Sequence, residues 1–477
     1  MNSIGKNFLY NVVYQMLLIL LPLVTTPYVS RVLGAENLGM YTYTYTAANY
    51  FVLFAMLGVK NYGNRSVASV RENKTDMSRT FWEIWGLQAL CAVIALCGYA
   101  VFVVCFGREN KILFLWQSLF VLSSLFDISW LFSGLEKFSI TVTRSIVIKL
   151  LSLGAIFLFV KTADDLWKYT LIMALSILLS QLTLWRYLPR YVERCKVGIR
   201  GILRHFCAEL SLFVPVIAVS LYKMMDKLML KEMSTYVQVG FYESADRIIG
   251  IPLGVITALG TVMLPRMSHL ASKSDTDKSM RYIRTSILFA MFMACGMMFG
   301  LAAIADDFIP LFLGAAYAPA AVLLQWMAPT VLFIAWANVI RTQYLIPNHK
   351  DKSYIVSVLC GAVFNIVCNF LLIPRYQAMG AVIATLGAEA LVCMVQTVAV
   401  RRQLPVFRYF KETVPLLLPG AVMLCVVRAV RVPFLRWDAV SRLGAVVLEV
   451  VIGGTVYVLL AGAWILVLRR KAKRQHG

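Results

Sequence analysis

The sequence predicts an all-α polytopic membrane protein of about 14 transmembrane helices, and three observations predict it. Apolar residues dominate, with 60% hydrophobic and only 15% charged residues among 477. They fall in long runs parted by short loops. The positive charge of those loops alternates in strength along the chain. The hydrocarbon core is ~30 Å thick and a helix rises ~1.5 Å per residue, so a span takes ~20 mostly apolar residues.

The first span is expected near residues 8–30. Only Lys6 precedes it, but the run is longer than a signal-peptide core and lacks an A-x-A cleavage site, so it reads as a span rather than a leader. Pro22 and Pro27 remove backbone hydrogen bonds in its outer half, a kink that serves either as a gate hinge or as a packing adjustment. The second span, 39–59, opens with Tyr41, Tyr43 and Tyr45 interleaved with Thr42, Thr44 and Thr46. This ladder suits either sugar contact or an aromatic belt at the membrane boundary.

Further spans are expected near 81–106, 112–133, 145–160 and 169–185, and in the second half near 207–230, 238–264, 285–304, 319–346, 353–373, 379–400, 413–427 and 443–468. With the N-terminus inside, 30 of the 46 lysines and arginines lie on cytoplasmic segments, so both termini are expected in the cytoplasm. The loop with Arg428, Arg431, Arg436 and Arg442 departs from this rule.

The net charge of +22 is spread around this rim rather than gathered on one face, which points to topology and anionic membrane lipids and away from nucleic acid. The ten cysteines form no C-x-x-C pair, and His205, His269, His349 and His476 are scattered, so neither a disulfide framework nor a metal centre is expected. No cofactor motif is present: there is no G-x-x-x-x-G-K-[ST] loop.

Internal repetition organises the chain. VLGAENLGMYTY recurs weakly as MLKEMSTYVQVGFYES, and aligning Gly39 with Gly240 gives an offset of 201 residues, or six spans. An even number places the two copies in the same orientation, with a cleft between halves as the path of a substrate. The expected division is a six-helix bundle over 1–190, a basic cytoplasmic linker over 191–204, a second six-helix bundle over 205–402, and two extra helices with a basic tail over 403–477.

Charge inside a span costs about 2.5–3.5 kcal/mol at its centre, so such residues face a partner or a wet path. Lys223, Asp226 and Lys227 share one helical face at i, i+3, i+4, and Glu243, Asp246 and Arg247 repeat the spacing. These sets either lock their helices together or line a polar pathway. Lys149 and Glu389 fall near mid-span, Asp127 a turn past the middle of its span, and Arg31 and Arg341 near helix ends where they can snorkel. Lys149 is the cation of the first half best placed to meet an anion. Asp127, Asp226, Asp246 and Glu389 are the candidate ion-coupling acids, with a neutral, hydrogen-bonded structural acid as the alternative.

The stretches LPLVTTPYVSRVLGAENLGMYTY, LFSGLEKFSI, LYKMMDKLML, VGFYESADRIIGIPLGVITALGTVMLPRMS, WANVIRTQYLIP and MGAVIATLGAE resemble the bacterial Wzx-type oligosaccharide flippases, in the polysaccharide transporter branch of the multidrug/oligosaccharidyl-lipid/polysaccharide exporter superfamily. The resemblance implies two pseudo-symmetric six-helix bundles in a V plus two C-terminal helices, working by alternating access in the bacterial plasma membrane. It implies an undecaprenyl-diphosphate-linked oligosaccharide as substrate, a proton or sodium ion as coupling partner, and a polysaccharide polymerase downstream. Arg31, Lys149, Lys223, Lys227, Arg247 and Arg341 are the candidates, by position, for meeting the diphosphate. Two alternatives stand beside this: a drug or cation antiporter of the same superfamily, and a membrane-embedded polymerase or glycosyltransferase using the acidic doublets Asp164-Asp165 or Asp306-Asp307.

Overall fold

The computed structural model describes residues 3–107, 109–273, 275–435 and 442–474; Arg436 and His476 lie outside the described residues. Among the described residues every regular element is helical. The chain divides into two compact units, Met1–Lys231 and Glu232–Gly477.

The first unit holds α1 (Ser3–Met56), α2 (Val59–Val70), α3 (Lys74–Phe106), α4 (Lys111–Phe126), α5 (Ser129–Gly134), α6 (Phe138–Phe159), α7 (Leu166–Trp185), α8 (Ile199–Leu203) and nearly all of α9 (Phe206–Met233). The second holds α10 (Tyr236–Ser272), α11 (Thr276–Leu313), α12 (Pro319–Met327), α13 (Thr330–Ile340), α14 (Asp351–Tyr376), α15 (Ala378–Val400), α16 (Val406–Thr413), α17 (Leu417–Leu435) and α18 (Arg442–Arg474). Eleven segments among the described residues are long and apolar enough to cross a membrane. They coincide with eleven of the expected spans, and the remaining three fall on α1 and α9.

The boundaries follow local chemistry. Asn73 caps α3 by accepting the Thr75 and Asp76 amides, Thr235 caps α10 through the Gln238 amide, and Asp275 caps α11 through the Lys278 amide. The Lys278 ammonium and amide together hold the Asp275 carboxyl below the usual carboxylate range.

The backbone adds three details to the expected spans. In α1 the helix continues through Pro22 and Pro27, and the non-helical dihedrals fall at Gly34 instead, with φ 78° and ψ 173°. A proline inside a helix forfeits one hydrogen bond and bends it, whereas a positive φ with extended ψ is a conformation that glycine adopts without steric cost. The span expected at 112–133 is two helices parted at Asp127, and that at 319–346 is α12 and α13 followed by a π-helical turn, Arg341–Leu345. The basic stretch expected as a loop after the second span contains the helix α2. Both copies of the internal repeat sit on helix junctions, the first at Gly34 and the second at the Ser234–Thr235 gap between α9 and α10.

Packing in the first unit sets α1 against α3, α4 and α6, and α4 against α7. Its core joins Phe81, Ile84, Trp130, Leu131 and Phe132, with Trp82, Trp85 and Trp185 edge-to-face beside it. In the second unit α14 and α15 form a tight hairpin: a Cβ at Gly380 would stand 2.5 Å from the Leu372 backbone. Large apolar side chains such as Val104, Leu151, Phe370 and Leu459 are more than 60% exposed. Only lipid covers such a surface at low cost.

Candidate functional site

The candidate cations and acids of the first unit have unequal surroundings. Arg31 is exposed on α1, three residues before the Gly34 break. Lys149 is half-buried midway along α6, flanked by the exposed Leu150 and Leu151. On α9, Asp226 is 1% exposed while Lys223 is exposed and Lys227 half-buried, so the acid lies at the inner edge of their shared face. Lys231, one turn on, pairs with Glu109 at 3.6 Å and lies 5.2 Å above the Tyr43 ring.

Asp127 is the joint between α4 and α5. One of its carboxylate oxygens accepts the Ser129 amide at 3.0 Å and the other meets Lys60 at 3.5 Å. Gln88 of α3 donates to the Ser124 and Asp127 carbonyls at 2.6 and 3.0 Å, and its own carbonyl accepts from the Trp130 indole at 3.0 Å. The carbonyls freed by the break are thereby satisfied by a side chain from another helix.

In the second unit Glu243 and Arg247 close on each other within α10, at 2.6 Å and one turn apart, with Asp246 half-buried between them. Arg341 opens the π-helical turn. It donates to Asn338 Oδ1 at 2.8 Å and to the Tyr354 hydroxyl at 3.4 Å, and its guanidinium lies 5.5 Å from that ring. Glu389 is 9% exposed on α15. Gly260 brings α10 close to this turn, since a Cβ there would stand 2.8 Å from Asn338 Nδ2 and 3.0 Å from Thr342 Oγ1.

The tyrosine ladder is a packing device. Tyr41 is buried against Tyr169 at 4.8 Å, Tyr45 stacks on Phe120 at 5.0 Å, and Tyr43 meets Phe114 at 6.1 Å. Asp165 closes the short turn that leads into α7, its carboxylate accepting the Lys161 and Thr162 amides and pairing with Lys168 at 2.6 Å. Asp306 and Asp307 lie inside α11 rather than in a loop, with Gln325 donating to Asp306 at 3.0 Å.

Several polar residues escape the sequence reading. Glu83 of α3 is 1% exposed and bonded to Arg204, to Arg79 Nε at 3.2 Å and to His205 Nε2 at 3.1 Å. His205 in turn shares a 2.7 Å hydrogen bond with Tyr62 of α2. Glu412 of α16 holds Arg284 at 2.7 Å and Arg408 at 3.1 Å. Glu209 of α9 and Gln343 of the π-helical turn are wholly buried, and neither side chain has a hydrogen-bond partner among the described residues. The available sequence signals were the i, i+4 pairs Arg79/Glu83 and Arg408/Glu412 at predicted helix ends.

The arrangement offers cations and buried polar groups on membrane helices. Among the described residues no three His, Cys, Asp or Glu side chains gather as a metal site.

Comparisons with known proteins add the lineage. The family described as "Polysaccharide biosynthesis protein" matches residues 4–271, and the family described as "Lipid II flippase MurJ" matches residues 193–448. A curated protein of Escherichia coli (strain K12) named "Putative O-antigen transporter" is 23% identical over 403 residues, 84% of this chain and 97% of that protein. A protein of the same name from Shigella dysenteriae is 23% identical over 390 residues, 80% of this chain and 96% of its own length. Among solved structures, a lipid II flippase MurJ in an inward closed conformation superposes with a TM-score of 0.78 at 14% identity, covering 97% of this chain and 99% of that one. An inward-facing multidrug resistance MATE family transporter superposes at 0.61 with 12% identity, covering 84% and 99%. At such identities the likeness carries the fold, which is all-helical and MurJ- and MATE-like. Each of the two matches spans more than half of the chain, which belongs to the polysaccharide biosynthesis protein family, the Wzx-like transporters of the multidrug/oligosaccharidyl-lipid/polysaccharide exporter superfamily.

Proposed function

We propose that this chain is a flippase for an undecaprenyl-diphosphate-linked oligosaccharide, of the O-antigen class named for its curated relatives, and carries it from the inner to the outer leaflet of the bacterial plasma membrane. The observation that carries this reading is the polysaccharide biosynthesis family match over residues 4–271, on a chain that keeps Lys149 within a helix long and apolar enough to cross a membrane. Two six-helix bundles in a V, two further C-terminal helices, some fourteen spans and cytoplasmic termini belong to the same proposal, as do alternating access and the division at 190, 204 and 402.

The diphosphate is the costly part of the cargo. Carrying it through a low-dielectric path needs cations that exchange solvent contacts for phosphate contacts, each charge-assisted bond contributing about 1.5–3 kcal/mol. Arg31, Lys149, Lys223, Lys227, Arg247 and Arg341 take this role in the proposal. Arg247 leaves Glu243 to do so, and Arg341 leaves Asn338. Asp127, Asp226, Asp246 and Glu389 are the proposed ion-coupling acids, with a proton or sodium gradient as the energy source. A polysaccharide polymerase is the proposed consumer of the flipped product.

Translocation in proteoliposomes tests the proposal: an impermeant glycosidase reads how fast the sugars of an undecaprenyl-diphosphate oligosaccharide become exposed. Protein-dependent exposure is expected, slowed about tenfold or more by Lys149→Ala. No exposure above empty liposomes, with or without an ion gradient, refutes it. The MATE-like fold favours one second reading, a drug or cation antiporter; gradient-driven efflux of a cationic dye by the same proteoliposomes would select it.

A further inference from the structure

Where α6 begins and α7 ends, the first unit holds an open cavity of about 450 Å³. Four hydroxyl side chains line it, Ser139 and Thr143 of α6, Thr183 of α7 and Tyr187 just beyond, together with the guanidinium of Arg144. Val147 adds an apolar wall, and no lining side chain is acidic. Both helices belong to segments long and apolar enough to cross a membrane, Ser139–Phe159 and Ala163–Arg190, so the cavity lies at the shared end of two spans. That end is basic: Arg186 is exposed, and the Arg190 guanidinium lies 5.7 Å from the Tyr187 ring. Lipid headgroups occupy this depth of a bilayer.

Arg144 sets the chemistry. It donates to the Ser180 carbonyl and to Gln181 Oε1, the latter at 3.2 Å, which braces α6 on α7 through neutral acceptors and leaves the guanidinium its charge. Thr183 donates to the Ser180 carbonyl at 2.9 Å, and the hydroxyls of Ser139, Thr143 and Tyr187 have no hydrogen-bond partner among the described residues. One guanidinium ringed by hydroxyls, with no carboxylate in the wall, suits the single negative charge of a phosphodiester; a diphosphate would call for more cations. A zwitterionic headgroup suits it less, because its ammonium would meet no carboxylate.

The same helix face identifies what accompanies the phosphate. Along α6 the lining residues Thr143 and Val147 are followed by Leu151, Gly154 and Leu158 at spacings of four, three and four, so all five share one face. Val147, Leu151 and Leu158 are at least half exposed, and Gly154 has open space around it. The cavity wall therefore continues into an apolar track ~16 Å long from Val147 to Leu158, close to the ~15 Å of hydrocarbon in one leaflet. We infer that the α6/α7 cavity binds an anionic phospholipid, with Arg144 and Thr143 on its phosphodiester and an acyl chain along Val147, Leu151 and Leu158. The site needs no transport cycle, so it stands or falls independently of the flippase proposal.

The test is equilibrium binding to the delipidated full-length protein, read by native mass spectrometry. The probes are phosphatidylglycerol, phosphatidylethanolamine, undecaprenyl phosphate and inorganic phosphate. Arg144→Gln keeps donors for the α6–α7 brace but loses the charge, and is expected to weaken phosphatidylglycerol binding by about tenfold. Thr143→Val removes a hydroxyl at an exposed position and should cost several-fold. Phosphatidylethanolamine should bind the parent more weakly and lose less in both variants. Arg65→Ala, which removes an exposed cation of α2, should bind every probe as the parent does. Unchanged phosphatidylglycerol binding in both cavity variants overturns the inference, and so does an equal loss in Arg65→Ala, which would mark a general attraction of anions to the basic rim. Undecaprenyl phosphate binding more tightly than phosphatidylglycerol, and lost with Arg144, would reassign the cavity to the carrier lipid. Inorganic phosphate displacing phosphatidylglycerol at equal concentration would reassign it to a soluble anion; either result overturns the phospholipid assignment. Thermal unfolding in detergent verifies the fold of each variant, and if Arg144→Gln fails there, Thr143→Val decides alone.

Discussion

Glu83 illustrates how a single residue is held in this protein. Its carboxyl is buried among Arg204, Arg79 and His205, and Gly201 permits the approach of α8, since a Cβ there would stand 2.5 Å from Glu83 Oε1. The two arginines are more than half exposed and return to water if the acid is removed, whereas His205 is buried and keeps only Tyr62 and its arginine neighbour. The cost of Glu83→Ala therefore comes mainly from the histidine and the lost hydrogen bonds, about 1–3 kcal/mol. Thermal unfolding in detergent should show that loss, with Glu83→Gln retaining part of the stability because an amide still accepts one bond. A Glu83→Ala protein as stable as the parent would mean the cluster is a solvated surface group. Little of this was legible in the sequence. Arg79/Glu83 has a recognisable helical spacing, but Arg204 and His205 lie 121 and 122 residues away, and nothing local announces that they converge.

At the scale of elements, the helices were legible and their interruptions were not. Twenty apolar residues in a row identify a span whatever it packs against. A break depends on what reaches it: α4 ends at Asp127 because Gln88, from another helix, takes the freed carbonyls, and no residue near 127 encodes that. Proline was the visible signal in α1, yet Gly34 carries the break, because φ 78° with ψ 173° is a conformation essentially closed to residues with a Cβ. Space is not the constraint, since a Cβ at Gly34 would have nothing within 4 Å. Gly34→Ala is thus a test of backbone strain alone, and should lower stability by about 1–3 kcal/mol. The matched control is Gly154→Ala in α6, which also has open space but ordinary helical backbone and should be neutral or stabilising by about 0.5–1 kcal/mol. Equal unfolding temperatures for the two variants would show that the Gly34 junction straightens at no cost.

For the whole molecule, the positive-inside pattern makes a prediction that the native cysteines can test. If α1 crosses twice about Gly34, six spans precede the segment at 191–198, and an even number returns the chain to the side on which it began. That segment lies among Arg186, Arg190, Arg194, Lys196, Arg200 and Arg204, a strongly basic stretch, so the proposed orientation puts it in the cytoplasm. Cys195 is its exposed reporter. On the opposite face, exposed Asp164 lies in the junction between α6 and α7, so Asp164→Cys reports the outside. In a background free of other cysteines, an impermeant maleimide added to intact cells should label Asp164→Cys at once and Cys195 only after permeabilisation. The chemistry supplies an internal check. Partial burial and the Glu83 carboxylate push the Cys195 thiol above its ordinary value, so at neutral pH less of it is thiolate than for a free cysteine. Its labelling in permeabilised cells should therefore be slow at pH 7 and quicken as pH rises toward 9, because raising pH populates the nucleophilic thiolate. Labelling of Cys195 in intact cells at either pH would invert the orientation.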